Sequence, residues 1–141
     1  MPTINDIQDD IIECFSMFED WSEKYEYLID FGKSLEHLEE KYKTEENRIH
    51  GCQSRVWLHA EQQDDKIIFY ADSDAIITKG IVGLLVKVLS NHTANEIATS
   101  ELYFIDKIGL REHLSPTRAN GLLSMVKKMK SYALIWDNQQ A

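Results

Sequence analysis

In the stretch "NRIHGCQSRVWLHA", residues 47 to 60, a cysteine stands between a glycine and small polar residues, just ahead of a strand-like apolar segment. A cysteine kept for packing usually sits inside a periodic apolar pattern, and Cys52 does not. Its thiolate would be a nucleophile, and an unperturbed thiol is only a few per cent ionised at neutral pH. A nearby positive charge would raise that fraction. Two arginines qualify. Arg55 follows by three residues, and Arg118 falls in the first turn of a C-terminal helix, whose unpaired N–H groups also favour an anion. If that helix end faces the Cys52 loop, both could support a thiolate or a persulfide. His50 could lie on the same face of a strand as Cys52 and act as a base, against the plainer reading of an exposed strand histidine.

The chain has two cysteines, Cys14 and Cys52, too few for a disulfide framework and without CxxC spacing. Two lone thiols leave packing, reactivity, or one of each. Cys14 lies at the edge of an apolar helical stripe and reads as a small core residue. His37, His59, His92 and His113 are scattered, with no HxxxH or HxxE pair, so a metal site has little support. Asp72 and Asp74 read as helix-start residues rather than a catalytic pair. The acidic tract 36–46 reads as a solvated face, and Trp57 as core or rim packing.

The elements that must position these groups follow from the pattern. The length of 141 residues, with 43% hydrophobic and 28% charged, suits one globular domain, 1–141, with a single core. A net charge of −9 disfavours nucleic acid and anionic membranes as partners. No apolar run approaches a bilayer span and the N-terminus does not read as a signal peptide, so a cytoplasmic location is expected. Ile4, Ile7, Ile11, Ile12, Phe15 and Phe18 recur at helical spacing and predict a helix over 4–19. A second helix is expected over 21–31, capped by Asp20, with Trp21, Tyr25, Leu28 and Ile29 inward. Residues 34–42 suggest a further helical turn or two.

The pattern then changes. "RVWLHA" and "KIIFYA", joined by "EQQDD", predict a hairpin, and "RIH" before Cys52 could add a third short strand. Cys52 would then sit at a turn on the rim of a small antiparallel sheet. Residues 74–90 are apolar nearly all round, as in a buried central helix, with Ser73 or Asp74 as its cap. Gly80, Gly83 and Lys87 share one face there, and the glycines would let another backbone come close. "TANE", 93–96, matches a capping box, "ELYFIDKIG" reads as another helix, and Ser115 with Pro116 opens a long C-terminal helix. Its buried stripe is expected to be Leu122, Val126, Met129, Ala133 and Trp136. The fold class is α+β: a small three-stranded antiparallel sheet with helices packed against it.

Three separated motifs, "GCQSRVWL", "DSDAIITKGIVGLL" and "LSPTRANGL", occur in order, and together with "WSEKYEYLIDFGKSL" they resemble the SufE family of sulfur acceptors, which includes CsdE. The resemblance covers nearly the whole chain. It implies the fold shared with iron–sulfur scaffold proteins of the NifU type, with the cysteine on a loop at one end of the sheet. It implies a pyridoxal-phosphate cysteine desulfurase, of the SufS or CsdA kind, as donor, and a SufB-type scaffold as recipient. On that resemblance Cys52 carries over as the persulfide acceptor and Arg118 as a support for the thiolate or persulfide. The family commonly has other residues where this chain has His50 and Arg55, so neither is required. Cys14 matches no family motif.

Such transfer is attack of a thiolate on the outer sulfur of a persulfide, akin to thiol–disulfide exchange, and the acceptor needs neither metal nor cofactor. The chain would be a carrier, monomer or homodimer, that stimulates the desulfurase; the desulfurase breaks the carbon–sulfur bond. A mobile loop that tucks the sulfur away when idle would protect it, and burial would raise the thiol's pKa. Two other classes remain in view. A cluster scaffold would need more ligands than Cys52 and scattered histidines, and its iron content would reveal it. A single-cysteine redox enzyme would consume peroxide without any desulfurase.

Overall fold

The computed structural model describes residues 2–52 and 54–140, with backbone only for 138–140. Helix α1, Ile4–Ser16, starts in a capping box: Asp6 N–H donates to Thr3 Oγ1 at 3.0 Å and Thr3 N–H to Asp6 Oδ2 at 3.1 Å. It buries Ile4, Ile11 and Phe15, the centre of the predicted stripe. It stops short of the expected residue 19. Helix α2, Trp21–Lys33, is capped by Asp20, whose carboxylate accepts from Glu23 N–H at 3.0 Å. Leu28 is fully buried, whereas Trp21, Tyr25 and Ile29 are half-buried.

Strands β1, Val56–Gln63, and β2, Lys66–Ser73, pair antiparallel from Val56 opposite Ser73 to Gln63 opposite Lys66. The hairpin is tighter than expected. Glu61, Gln62 and Gln63 stay in the ladder and only Asp64 and Asp65 turn, with Asp64 in the left-handed region at φ 57°. Aspartate tolerates that conformation better than most residues. The alternation puts Val56, Leu58, Ile67, Phe69 and Ala71 on one buried face. Trp57, His59 and Tyr70 lie on the other.

Helix α3, Ile76–Leu89, is the central helix, buried at Thr78, Gly80 through Leu85, Val88 and Leu89. It packs on β2 and on α2. Its contact with α2 is backbone to backbone: a Cβ on Gly80 would fall 2.5 Å from Leu28 O, and one on Gly83 2.5 Å from Phe31 O. The cap differs from expectation. Ala75 occupies that position without a side-chain bond; the Ser73 hydroxyl donates to Arg55 O at 2.8 Å and accepts from Ala75 N–H at 3.3 Å just ahead of the helix.

The third strand, β3, is His92–Thr93, antiparallel to β2 on the edge away from β1, giving the order β1-β2-β3. The "RIH" segment forms no strand of the sheet. Arg48 makes one isolated bridge to Trp57 along the outer edge of β1. Thr93 also caps the short helix α4, Ala94–Thr99, in a capping box with Glu96. Helix α5 is only Phe104–Lys107 of the predicted 101–109. Helix α6, Pro116–Gln140, buries Leu122, Met125, Met129 and Ala133, with Val126 and Trp136 half-buried.

Residues 34–42 are not the expected helix apart from a 3-10 turn at Glu40–Tyr42. The segment serves the sheet instead. Tyr42 stacks on His59 with centroids 3.7 Å apart, and the Lys43 ammonium bonds Asp72 Oδ2 at 2.9 Å. Covering the outer sheet face outweighs local helix propensity there.

Candidate functional site

The chain on either side of Cys52 is held to the sheet. Ile49 N–H donates to Val56 O at 2.8 Å and Leu58 N–H to Asn47 O at 2.9 Å. His50–Cys52 and Ser54–Arg55 therefore lie in a loop over the end of β1. Arg55, at its far end, is fastened through its backbone: its N–H donates to Asp74 Oδ1 at 3.0 Å, and its carbonyl accepts from Asp74 N–H at 3.2 Å. Gly51 has φ 93°, a backbone region that side chains disfavour. Gln53 of the "GCQS" motif lies outside the described residues.

The loop sets Cys52 against the start of α6. The thiol faces the Gly121 carbonyl, Sγ to O 3.7 Å, as a weak S–H donor. A Cβ on Gly121 would fall 3.1 Å from the sulfur, so the residue lacking one permits this seat. Beside the sulfur is a cavity of about 10 Å³ lined by Cys52, Thr78, Ile81, Thr117, Arg118, Gly121 and Met125. That is room for roughly one water-sized group. Cys52 thus lies where the first turns of α3 and α6 converge. The start of α6 is fixed by Ser115, whose hydroxyl accepts from Arg118 N–H at 3.3 Å.

Burial pushes the Cys52 thiol above the ordinary thiol range, and the positive charge of Arg48 partly offsets it. A seated Cys52 is a poor nucleophile for that reason.

The sequence-predicted residues separate cleanly in space. Cys52 and Arg118 line one cavity. His50 does not; its exposed imidazole lies 3.7 Å from Glu45 Oε1. The exposed Arg55 side chain is also absent from the lining. Cys14 sits half-buried on α1 and is not among the residues of the hydrophobic core cluster or those packed against it; burial, with Cys14 close by, pushes the Tyr27 phenol up to about 12, and Tyr27 packs on Phe15 and Phe18. Sequence reasoning missed Arg48, Thr78, Ile81, Gly121 and Met125. For Arg48 a signal existed: it shares the arm entering the loop with His50, and antiparallel closure on Trp57 keeps it beside the loop's base.

Among the described residues, no three His, Cys, Asp or Glu side chains are placed to hold a metal ion, and no helix is long and apolar enough to cross a membrane.

Comparison with known proteins agrees with this architecture. The SufE family, described as an Fe-S metabolism associated domain, matches residues 9–133. A SufE-like protein of Rhizobium meliloti is 42% identical over 130 residues, covering 89% of this chain and 93% of that one. The chloroplastic/mitochondrial SufE-like protein 1 of Arabidopsis thaliana is 40% identical over 126 residues, 89% of this chain but 34% of that longer protein. The solution structure of a hypothetical protein from Thermus thermophilus superposes with a TM-score of 0.77 over 95% of this chain and 96% of that one, at 20% identity, which shows the shared fold. With a matched region running from α1 into α6 and relatives of this identity, the chain belongs to the SufE family.

Proposed function

We propose that the protein accepts sulfur on Cys52 from a persulfide on a pyridoxal-phosphate cysteine desulfurase, stimulates that enzyme, and passes the sulfur to an iron–sulfur assembly scaffold. The observation that carries the reading is the Cys52 seat: a lone loop thiol, 3.7 Å from Gly121 O, beside a cavity of one-atom size at the convergence of two helices. A thiol kept only for packing has no need of an adjacent cavity, and a voided contact costs dispersion energy.

The chemistry balances without a metal or an external oxidant. The Cys52 thiolate attacks the outer sulfur of the donor persulfide, and a new S–S bond forms to Sγ. The donor's S–S bond breaks, and its electron pair leaves with the donor's inner sulfur as a thiolate. Attack must run along the donor S–S axis. A sulfur pressed on α6 is closed to a large partner, so Cys52 has to lift from Gly121 for transfer. The seat is the idle or loaded state, in which burial suppresses reactivity. Arg118, exposed and among the cavity-lining residues, is our candidate for supporting the persulfide anion once the outer sulfur is loaded, while Arg48 is the charge that acts on the seated thiol.

The test is sulfide release from cysteine by a cysteine desulfurase with added protein. Wild type and Cys14→Ser should stimulate it and Cys52→Ser should not. Mass spectrometry should find one added sulfur, about 32 Da, on Cys52 alone, as persulfide chemistry requires. Undiminished relay by Cys52→Ser would sink the reading.

A further inference from the structure

The cavity beside Cys52 contains a polar group that the fold leaves unused. Thr78, in the first turn of α3, is 6% exposed. Its hydroxyl makes no side-chain hydrogen bond among the described residues, although a helical threonine often bonds a carbonyl one turn back. No buried side-chain polar atom among them is both walled in and unpartnered. The Thr78 hydroxyl therefore borders open space, and Thr78 is one of the residues that line the Cys52 cavity. The remaining lining residues are Ile81, Thr117, Arg118, Gly121 and Met125. A valine would fill the same volume but would offer no donor to a group in that space.

We propose that the Thr78 hydroxyl is a hydrogen-bond donor to the outer sulfur carried on Cys52, holding the loaded persulfide in the cavity. The inference rests on Cys52 being the sulfur acceptor. The seat accommodates Sγ at Gly121, and the adjoining space accommodates one further group. A persulfide ends in a sulfur that is anionic when deprotonated and accepts hydrogen bonds. An O–H donor there stabilises the anion and makes the outer sulfur a poorer target for stray thiols, which attack the protonated form more readily. When the loop lifts, the bond is lost and the sulfur becomes transferable. Thr78 thus bears on retention of the cargo, where Arg118 supplies charge.

The test uses Cys14→Ser protein, so that Cys52 is the sole thiol, loaded with one sulfur by inorganic polysulfide. Thr78→Val removes the hydroxyl at constant shape, and Thr78→Ser keeps it. Two quantities are read: the half-life of the persulfide in dithiothreitol, by sulfide release, and the pH profile of its alkylation by iodoacetamide. The Val variant should lose sulfide about tenfold faster, the size of one hydrogen bond to a charged acceptor. Its alkylation profile should move to higher pH, and the Ser variant should match the parent in both. Equal half-lives and superimposed profiles for Val and parent would overturn the proposal, as would a Ser variant behaving like Val. Loading by a cysteine desulfurase is run alongside. If polysulfide loads Cys52 but the desulfurase does not, the sulfur-acceptor reading fails, and this is distinguishable because the polysulfide arm reports on Thr78 independently.

Discussion

Cys52 rests on Gly121 so closely that a single methyl group on the glycine would stand 3.1 Å from the sulfur. Two effects oppose each other in Gly121→Ala. Alanine in a helix interior is favoured over glycine by about 1 kcal/mol. Against this, the sulfur must retreat by a few tenths of an ångström, and it belongs to a loop that can give. We expect α6 to lose no stability, and Cys52 to be unseated. Thermal denaturation should shift little or upward, whereas alkylation of Cys52 in the resting protein should accelerate several-fold. An unchanged alkylation rate would mean that the seat does not shield the thiol.

Arg48 is the charge that the Cys52 thiol feels, offsetting part of the rise that burial causes. It is shared with Glu45, whose carboxylate lies 3.7 Å from Arg48 Nη1 and 3.7 Å from His50 Nε2. Arg48→Ala should move the alkylation profile of Cys52 to higher pH. At neutral pH the rate should fall about twofold, the scale of a partly exposed charge pair. Arg48→Lys should retain most of the wild-type rate, and high salt should narrow the gap between variant and wild type. Arg55→Ala should leave the profile unmoved, because Arg55 serves the loop through its backbone.

The contrast between Arg48 and Arg55 shows how far the sequence could be read. Periodicity located α1, α2, α3 and α6 and the β1–β2 hairpin, because each buries one face over several turns or alternations. It could not locate β3, since His92–Thr93 is too short to alternate and is defined only by pairing with Lys66 and Ile67. It also misread residues 34–42, where Tyr42 and Lys43 cover His59 and Trp57 and tertiary contact decides the backbone. At the site, Cys52 and Arg118 stood out by residue type and by resemblance. Thr78, Met125 and Arg48 did not, because which side chains meet a loop depends on how α3 and α6 converge and on which edge of β1 the chain returns along.

Asp72 ties the covering segment to α3. Its carboxylate takes Lys43 Nζ at 2.9 Å and Lys79 Nζ at 3.3 Å. Burial pushes this carboxyl up, but the Lys43 bond, the Ser73 N–H and Lys79 together outweigh it and hold it below its ordinary value of 3.8. A depressed carboxylate contributes stability that is fully present above the ordinary value and is lost as pH falls through the folded one. Denaturation midpoints followed from pH 6 downward, with roughly pH 4 as the start of the loss, should therefore drop more steeply for wild type than for Asp72→Asn. Above that window Asp72→Asn should be less stable by about 1 kcal/mol, the sum of two partly exposed pairs. Parallel pH profiles for the two proteins would remove Asp72 from this role.

Gly51 separates backbone strain from collision. At φ 93° an alanine would be strained whatever space surrounded it, and its Cβ would also stand 2.7 Å from Ser124 Oγ. The collision is with a hydroxyl that can rotate away, so it is the cheaper of the two. The strain, about 1–2 kcal/mol, cannot be relieved while the loop stays seated. The loop can, however, detach without unfolding the protein, which limits the loss of global stability to the free energy of seating. Gly51→Ala should consequently lower the melting temperature only modestly and expose Cys52 to alkylation strongly. Adding Ser124→Ala removes the collision and leaves the strain, so the double variant should stay as reactive as Gly51→Ala. If Ser124→Ala restores slow alkylation, the glycine is there to clear Ser124 and the backbone conformation of the loop plays no part in holding Cys52 down.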